Sequence, residues 1–242
     1  MSAGANWLAA LWVPLAVFVV CLAVDLSASD RLTSDVGRGA LLCLMAAVLQ
    51  ILFILSVAPW WGAALPARTA FGAVIAAGRL VAMTVSVTLL MLLLMLLQDH
   101  VTVAAPLKVQ AVVLGTGMLV TGVAAALGMW FGRTAPAAWL TTFAGGVLFA
   151  SPFWGNLLVQ WTDGAAKPWA IGFVVKVTPL SACASAVGYD LFRGQMLYVL
   201  SAVSDHRHAL PAWWAYALVT GAVGIALVAL ATTARRRPRA ET

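Results

Sequence analysis

The chain has 242 residues, of which 63% are hydrophobic types and only 9% are charged, and its mean hydropathy is +0.99. A water-soluble domain is roughly 45–50% apolar and about 25% charged, so this chain has too few charges to coat a globule. A soluble domain, a disordered chain, a collagen-like repeat and a secreted disulfide scaffold are excluded, which leaves a multi-span membrane protein whose first partner is the lipid bilayer.

A spanning helix needs roughly 20 apolar residues to cross about 30 Å of hydrocarbon. Six stretches meet that need: 7–24, 40–60, 71–97, 109–131, 137–159 and 213–232. The first is followed by Ser27-Ala28-Ser29 but lacks the positively charged leading region of a secretory signal, so it is read as a retained span. The third is overlong, because the 33 residues from Leu65 to Leu97 would make a helix of about 50 Å. Pro66 can open a helix, and Gly72 and Gly78 weaken its interior. A short amphipathic approach, ALPARTAFGAVIAAGR, is therefore predicted, with the span proper over about 78–97. Arg68 and Arg79 then lie at or near the cytoplasmic face, where basic side chains snorkel to headgroups.

In the fourth stretch, GTGMLVTG (115–122) places small residues mid-span. It has no strand–turn–helix context to cradle a phosphate, so it predicts close helix–helix approach. The segment 167–203 is apolar on average but is interrupted by Lys176, Pro179, Asp190 and Arg193. A central charge costs roughly 2.5–3.5 kcal/mol in lipid, and broken backbone at membrane depth persists only against protein or a water-filled cavity. This segment is read as a helix–break–helix element that re-enters from one side or lies at the interface, with a seventh span as the alternative.

The net charge is +6, and four of the positives, Arg235, Arg236, Arg237 and Arg239, follow the last apolar stretch. That placement is a topology signal rather than a nucleic-acid patch. It puts the tail 233–242 and, with six spans, the amino terminus in the cytoplasm of a cell whose inner (plasma) membrane holds the chain. The predicted fold is one all-α transmembrane domain over 1–242, a polytopic membrane bundle of six transmembrane helices plus the broken outer element at 167–203.

Soluble chemistry is nearly absent. There is no Gly-x-x-x-x-Gly-Lys-Ser/Thr phosphate loop, no Gly-x-Ser-x-Gly elbow and no His-Glu-x-x-His. The three histidines, His100, His206 and His208, lie outside the predicted spans, and no cysteine pair has metal-ligand spacing. No metal or other cofactor is expected in this chain. One constellation remains: Cys183 with Arg193, His206 and His208, a thiol that imidazole could activate for acyl transfer. These residue types, in this order, resemble membrane-embedded exosortase-type transpeptidases over about thirty residues. The alternative is a small packing cysteine beside a solvated loop.

Three segments carry a second resemblance. LPARTAFGAVIAAGRLVAM, with the pair Gly78-Arg79, resembles the stretch that joins the second and third spans of type-2 ABC-transporter permeases. LGMWFGRTAPAAWLTTFAGGVLF, with Arg133 in a tight turn, is similar to their short cytoplasmic hairpin between the fourth and fifth spans. SPFWGNLLVQW and VTPLSACASAVGYDLFRG resemble the re-entrant or interfacial element before their last span, with Thr178-Pro179 where the family often has Asn-Pro. The resemblance implies the permease subunit of an exporter that works with a separate ATP-binding subunit and in a pair of permeases, like or unlike. It implies that Arg68, Arg79 and Arg133 take up the ATPase's motion and that Asn156, Pro179, Asp190 and Arg193 belong to an outer gate. ATP would be bound by the partner. A non-catalytic membrane subunit that anchors a larger complex is a third expectation.

Overall fold

In lipid every backbone N–H and C=O must find its partner inside the protein, and a helix does this within one segment. The structure, a computed structural model, describes residues 38–65, 70–97, 104–189 and 208–234, and all regular structure among these residues is helical. The helices are α1 (Arg38–Ala64), α2 (Ala70–Leu97), α3 (Ala104–Phe131), α4 (Thr134–Phe149), α5 (Ser151–Trp161), α6 (Ala166–Val177), α7 (Pro179–Ala186) and α8 (Trp213–Ala234). Of these, α1, α3 and α8 are long and apolar enough to cross a membrane. The bent pairs α4–α5 and α6–α7 bring the candidates to five if each pair is one span. The all-helical membrane fold is thus present, with three to five candidate spans among the described residues. The predicted span 7–24 and the tail 235–242 lie outside the described residues.

The centre of the bundle is α3, which packs against α1, α2, α4, α7 and α8. Lipid tails are as apolar as leucine, so helices associate there by close fit rather than by escape from solvent. The small residues of GTGMLVTG supply that fit. A Cβ at Gly115 would meet Thr220 Oγ1 at 2.6 Å and Ala217 O at 2.7 Å, and Gly122 lies directly on the backbone of Gly224. On the other flank Gly128 is set against Ala63, and Gly62 against Thr121 and Ala124. The fourth stretch thus makes the close approach that its small residues predict.

Two apolar clusters mark one end of the bundle: Leu65, Ala76, Ala125 and Ala231 in one, and Ala63, Ala124, Ala137 and Ala138 in the other. This is the tail end, where α8 finishes. At the opposite end, here the hinge end, a larger cluster joins Cys43 and Ala47 of α1, Val109 and Val113 of α3, and Leu180, Cys183 and Ala186 of α7. Trp213 and Tyr216 of α8 pack onto it. Therefore α1, α3 and α8 run toward the tail end, and α2 and α4 run away from it.

Two predicted stretches take a different helical form from the expected one. In the third, the approach and the span are not separated by a break near Arg79. One helix runs without interruption from Ala70 through Gly78 and Arg79 to Leu97. A Cβ at Gly78 would meet nothing within 4 Å, and Arg79 is drawn inside the bundle, so neither residue creates a break. The stretch 137–159, read as one span, is divided at Ala150 and bends by 55°. Pro152, in the first turn of α5, has no N–H for the preceding turn, and its ring clashes with the carbonyl four residues back.

Candidate functional site

At the tail end, α3 stops at Gly132, whose φ of +65° is the left-handed conformation that glycine adopts without a Cβ penalty. Its N–H donates to Gly128 O at 3.1 Å. Arg133 follows in extended conformation as the residue before α4, exposed on the surface. The tight turn predicted around Arg133 is therefore present, and it carries an exposed cation.

Arg79 behaves differently. It is 6% exposed, and its guanidinium carbon stands 5.4 Å from the centroid of the Trp61 ring at the end of α1. A cation over an indole face is attracted by the ring quadrupole, the more so when water is excluded. Arg79 therefore joins the start of α2 to the end of α1 instead of snorkelling to headgroups. Among the residues whose side-chain burial is described, no other charged side chain is buried. Arg68 lies outside the described residues.

At the hinge end, the break expected at Pro179 is present. Between α6 and α7 the chain bends by 73° at Thr178. Proline at the first position of α7 suits a helix start, and Thr178 caps it, with its Oγ1 accepting from Leu180 N–H at 3.4 Å. The loosened carbonyls are then taken up by neighbouring helices. Thr178 Oγ1 donates to Phe149 O at 3.3 Å, Ser151 Oγ to Val174 O at 3.3 Å, and Tyr216 Oη to Val177 O at 3.4 Å. Broken backbone is tolerated at membrane depth on this condition. The far end of α7 closes in a glycine cap: Gly188 has φ +72°, and Tyr189 N–H donates to Ala184 O at 2.9 Å.

Pro179 is buried in this hinge, and Asn156 falls midway along α5. Asp190 and Arg193, also expected in an outer gate, lie outside the described residues, as does His206. Cys183 is 0% exposed in the middle of α7, packed in the core formed with α1 and α3. That is the environment of a small apolar packing residue. His208 stands in the segment leading into α8.

Sequence reasoning missed a buried amide pair. Gln110 Nε2 of α3 donates to Gln50 Oε1 of α1 at 2.8 Å, leaving Gln50 Nε2 and Gln110 Oε1 without a partner. A lone glutamine within each of two apolar stretches was the available signal, since a polar side chain inside a membrane helix seeks a partner on another helix. It also missed Lys108, whose Nζ stands 5.9 Å from the ring centroid of Trp213 and ties the start of α3 to the start of α8. Among the described residues no group of three or more His, Cys, Asp or Glu side chains could hold a metal ion.

Compared with protein-family models, curated proteins and solved structures, the chain matches none. Its functional reading therefore rests on its own geometry.

Proposed function

We propose that the chain is the membrane-embedded permease subunit of an ABC-type exporter, partnered by a separate ATP-binding subunit and by a second permease. The observation that carries this reading is the polarity of the bundle. An exposed cation in a tight turn stands at the tail end, and a buried, broken helix stands at the hinge end. The two are joined by α3, which begins against α7 and ends at the Arg133 turn. Its 28 residues make a rod of about 42 Å, so a push on Gly132-Arg133 reaches the hinge as motion of a packed element. Arg79, held over Trp61, keeps α2 moving with α1 rather than meeting the ATPase itself. The broken pair α6–α7 is the element with two arrangements, and cargo and nucleotide act by binding one arrangement better than the other. The near-absence of buried charge among the described residues favours an apolar or lipidic cargo over an ion.

The test is co-purification in mild detergent from the cells that make the protein. An ATP-hydrolysing subunit is expected to accompany the chain, and Arg133→Glu is expected to reduce its retention about ten-fold, the scale of a like-charge clash at an interface. Purification with no ATP-hydrolysing partner overturns the reading.

A further inference from the structure

The α6 helix has one face in the protein and one outside it. Ala170, Ile171, Val174 and Val175 are buried and pack with Val159 of α5, which fixes the rotation of the helix. The opposite face carries Trp169, Gly172, Phe173 and Lys176, residues three or four apart that share one stripe. The Trp169 and Phe173 rings stack at 5.7 Å with an interplanar angle of 16°. Trp169 is 68% exposed. A Cβ at Gly172 would meet nothing within 4 Å, so the stripe has a notch between the rings and the ammonium group.

Two clefts meet at Lys176. One, of about 460 Å³, is lined by the aromatic stripe and Val177. The other, of about 310 Å³, extends from Lys176 to His208 and Ala209. No acidic residue lies on α6. The helix has 12 residues, about 18 Å, and turns by 73° into α7. It is therefore too short to cross the hydrocarbon alone, and an exposed tryptophan with a lysine on its free face is the pairing that suits the boundary where headgroup and acyl chain adjoin. An occupant of this surface needs an apolar limb for the rings and an anionic head for Lys176.

We propose that this surface binds an anionic glycerophospholipid, with the headgroup phosphate on Lys176 and an acyl chain lying along Trp169 and Phe173 through the Gly172 notch. Free phosphate would leave the aromatic stripe unused, and a zwitterionic lipid would present its own cation to the lysine. The inference requires only that the chain reside in a bilayer and is independent of any ATPase.

The test is native mass spectrometry of the full chain in detergent, with phosphatidylglycerol or phosphatidylcholine added. Wild type is expected to retain phosphatidylglycerol in preference to phosphatidylcholine. Lys176→Gln is expected to weaken that retention about five-fold, the effect of one lysine beside an anionic headgroup, while Lys176→Arg keeps it. Lys167→Gln, which removes the other lysine of the same helix, is expected to leave it unchanged. The proposal is overturned if phosphatidylcholine binds equally, if the two lysine-to-glutamine variants lose lipid to the same extent, or if inorganic phosphate displaces the lipid. The assay contains no ATPase, so its failure and that of the permease reading are separate results.

Discussion

The seam of α3 with α1 and α8 and the limb from α4 to α7 solve one problem in opposite ways. Along the seam, unbroken helices satisfy their own backbones and are held by contact: Gly115, Gly122 and Gly224 bring two backbones together, and Gly62 and Gly128 do the same on the other flank. Along the limb the helices are short and bent, and hydroxyl groups of Ser151, Thr178 and Tyr216 hold them by donating to carbonyls near the breaks. Steric fit makes a rigid unit, because a packed interface has no intermediate position. A hinge held by a few long hydrogen bonds is easier to rearrange. On the proposed permease reading, that difference gives the motion to the limb and its transmission to the seam.

Substitutions can break or sharpen this contrast. The largest effect is expected from Gly122→Val, whose side chain would be driven into the backbone of Gly224. A loss of about 3 kcal/mol, the upper range for overpacking, should appear as a marked fall in the thermal midpoint in detergent. Gly146→Ala in α4, where a Cβ meets nothing, serves as its counterpart and should leave the midpoint unchanged or slightly higher. Equal effects at the two glycines would remove the distinction between seam and limb.

A smaller effect is expected at the amide pair. Gln50→Leu or Gln110→Leu alone leaves the other amide buried without a partner, and each should cost about 1–2 kcal/mol. The double variant should recover most of that loss, because both polar groups are then gone. A denaturation-based double-mutant cycle reads this coupling directly, and additive losses would show that the pair does not act as a unit.

The smallest loss, about 1 kcal/mol, is expected from Thr178→Val, which removes the cap of α7 and the bond to Phe149 O. It should act locally, raising hydrogen exchange around α6 and α7 more than along α3. Uniform loss of protection would mean that the hinge is not a separate unit.

Much of this architecture was legible in the sequence. The small residues at 115–122, the turn at Gly132-Arg133 and the break at Pro179 each carry a local signal that acts the same in any surroundings. Pro152 carried one as well, but the apolar average over 137–159 concealed it. The amide pair was half legible: Gln50 and Gln110 were visible as polar residues in apolar stretches, yet nothing in the chain paired them. The inward turn of Arg79 was not legible, since an arginine near a span end suits a headgroup as well as an indole ring.

Composition by itself made lipid the solvent and helix the backbone form, and glycine and proline placed several of the bends. Which face of each helix turns inward was decided only in three dimensions. A helix that is apolar all round gains little from exchanging lipid for another helix, so periodicity cannot mark its buried side. Backbone approach at the glycines, the hold of Trp61 on Arg79 and the enclosure of Cys183 depend instead on shape complementarity between segments far apart in the chain.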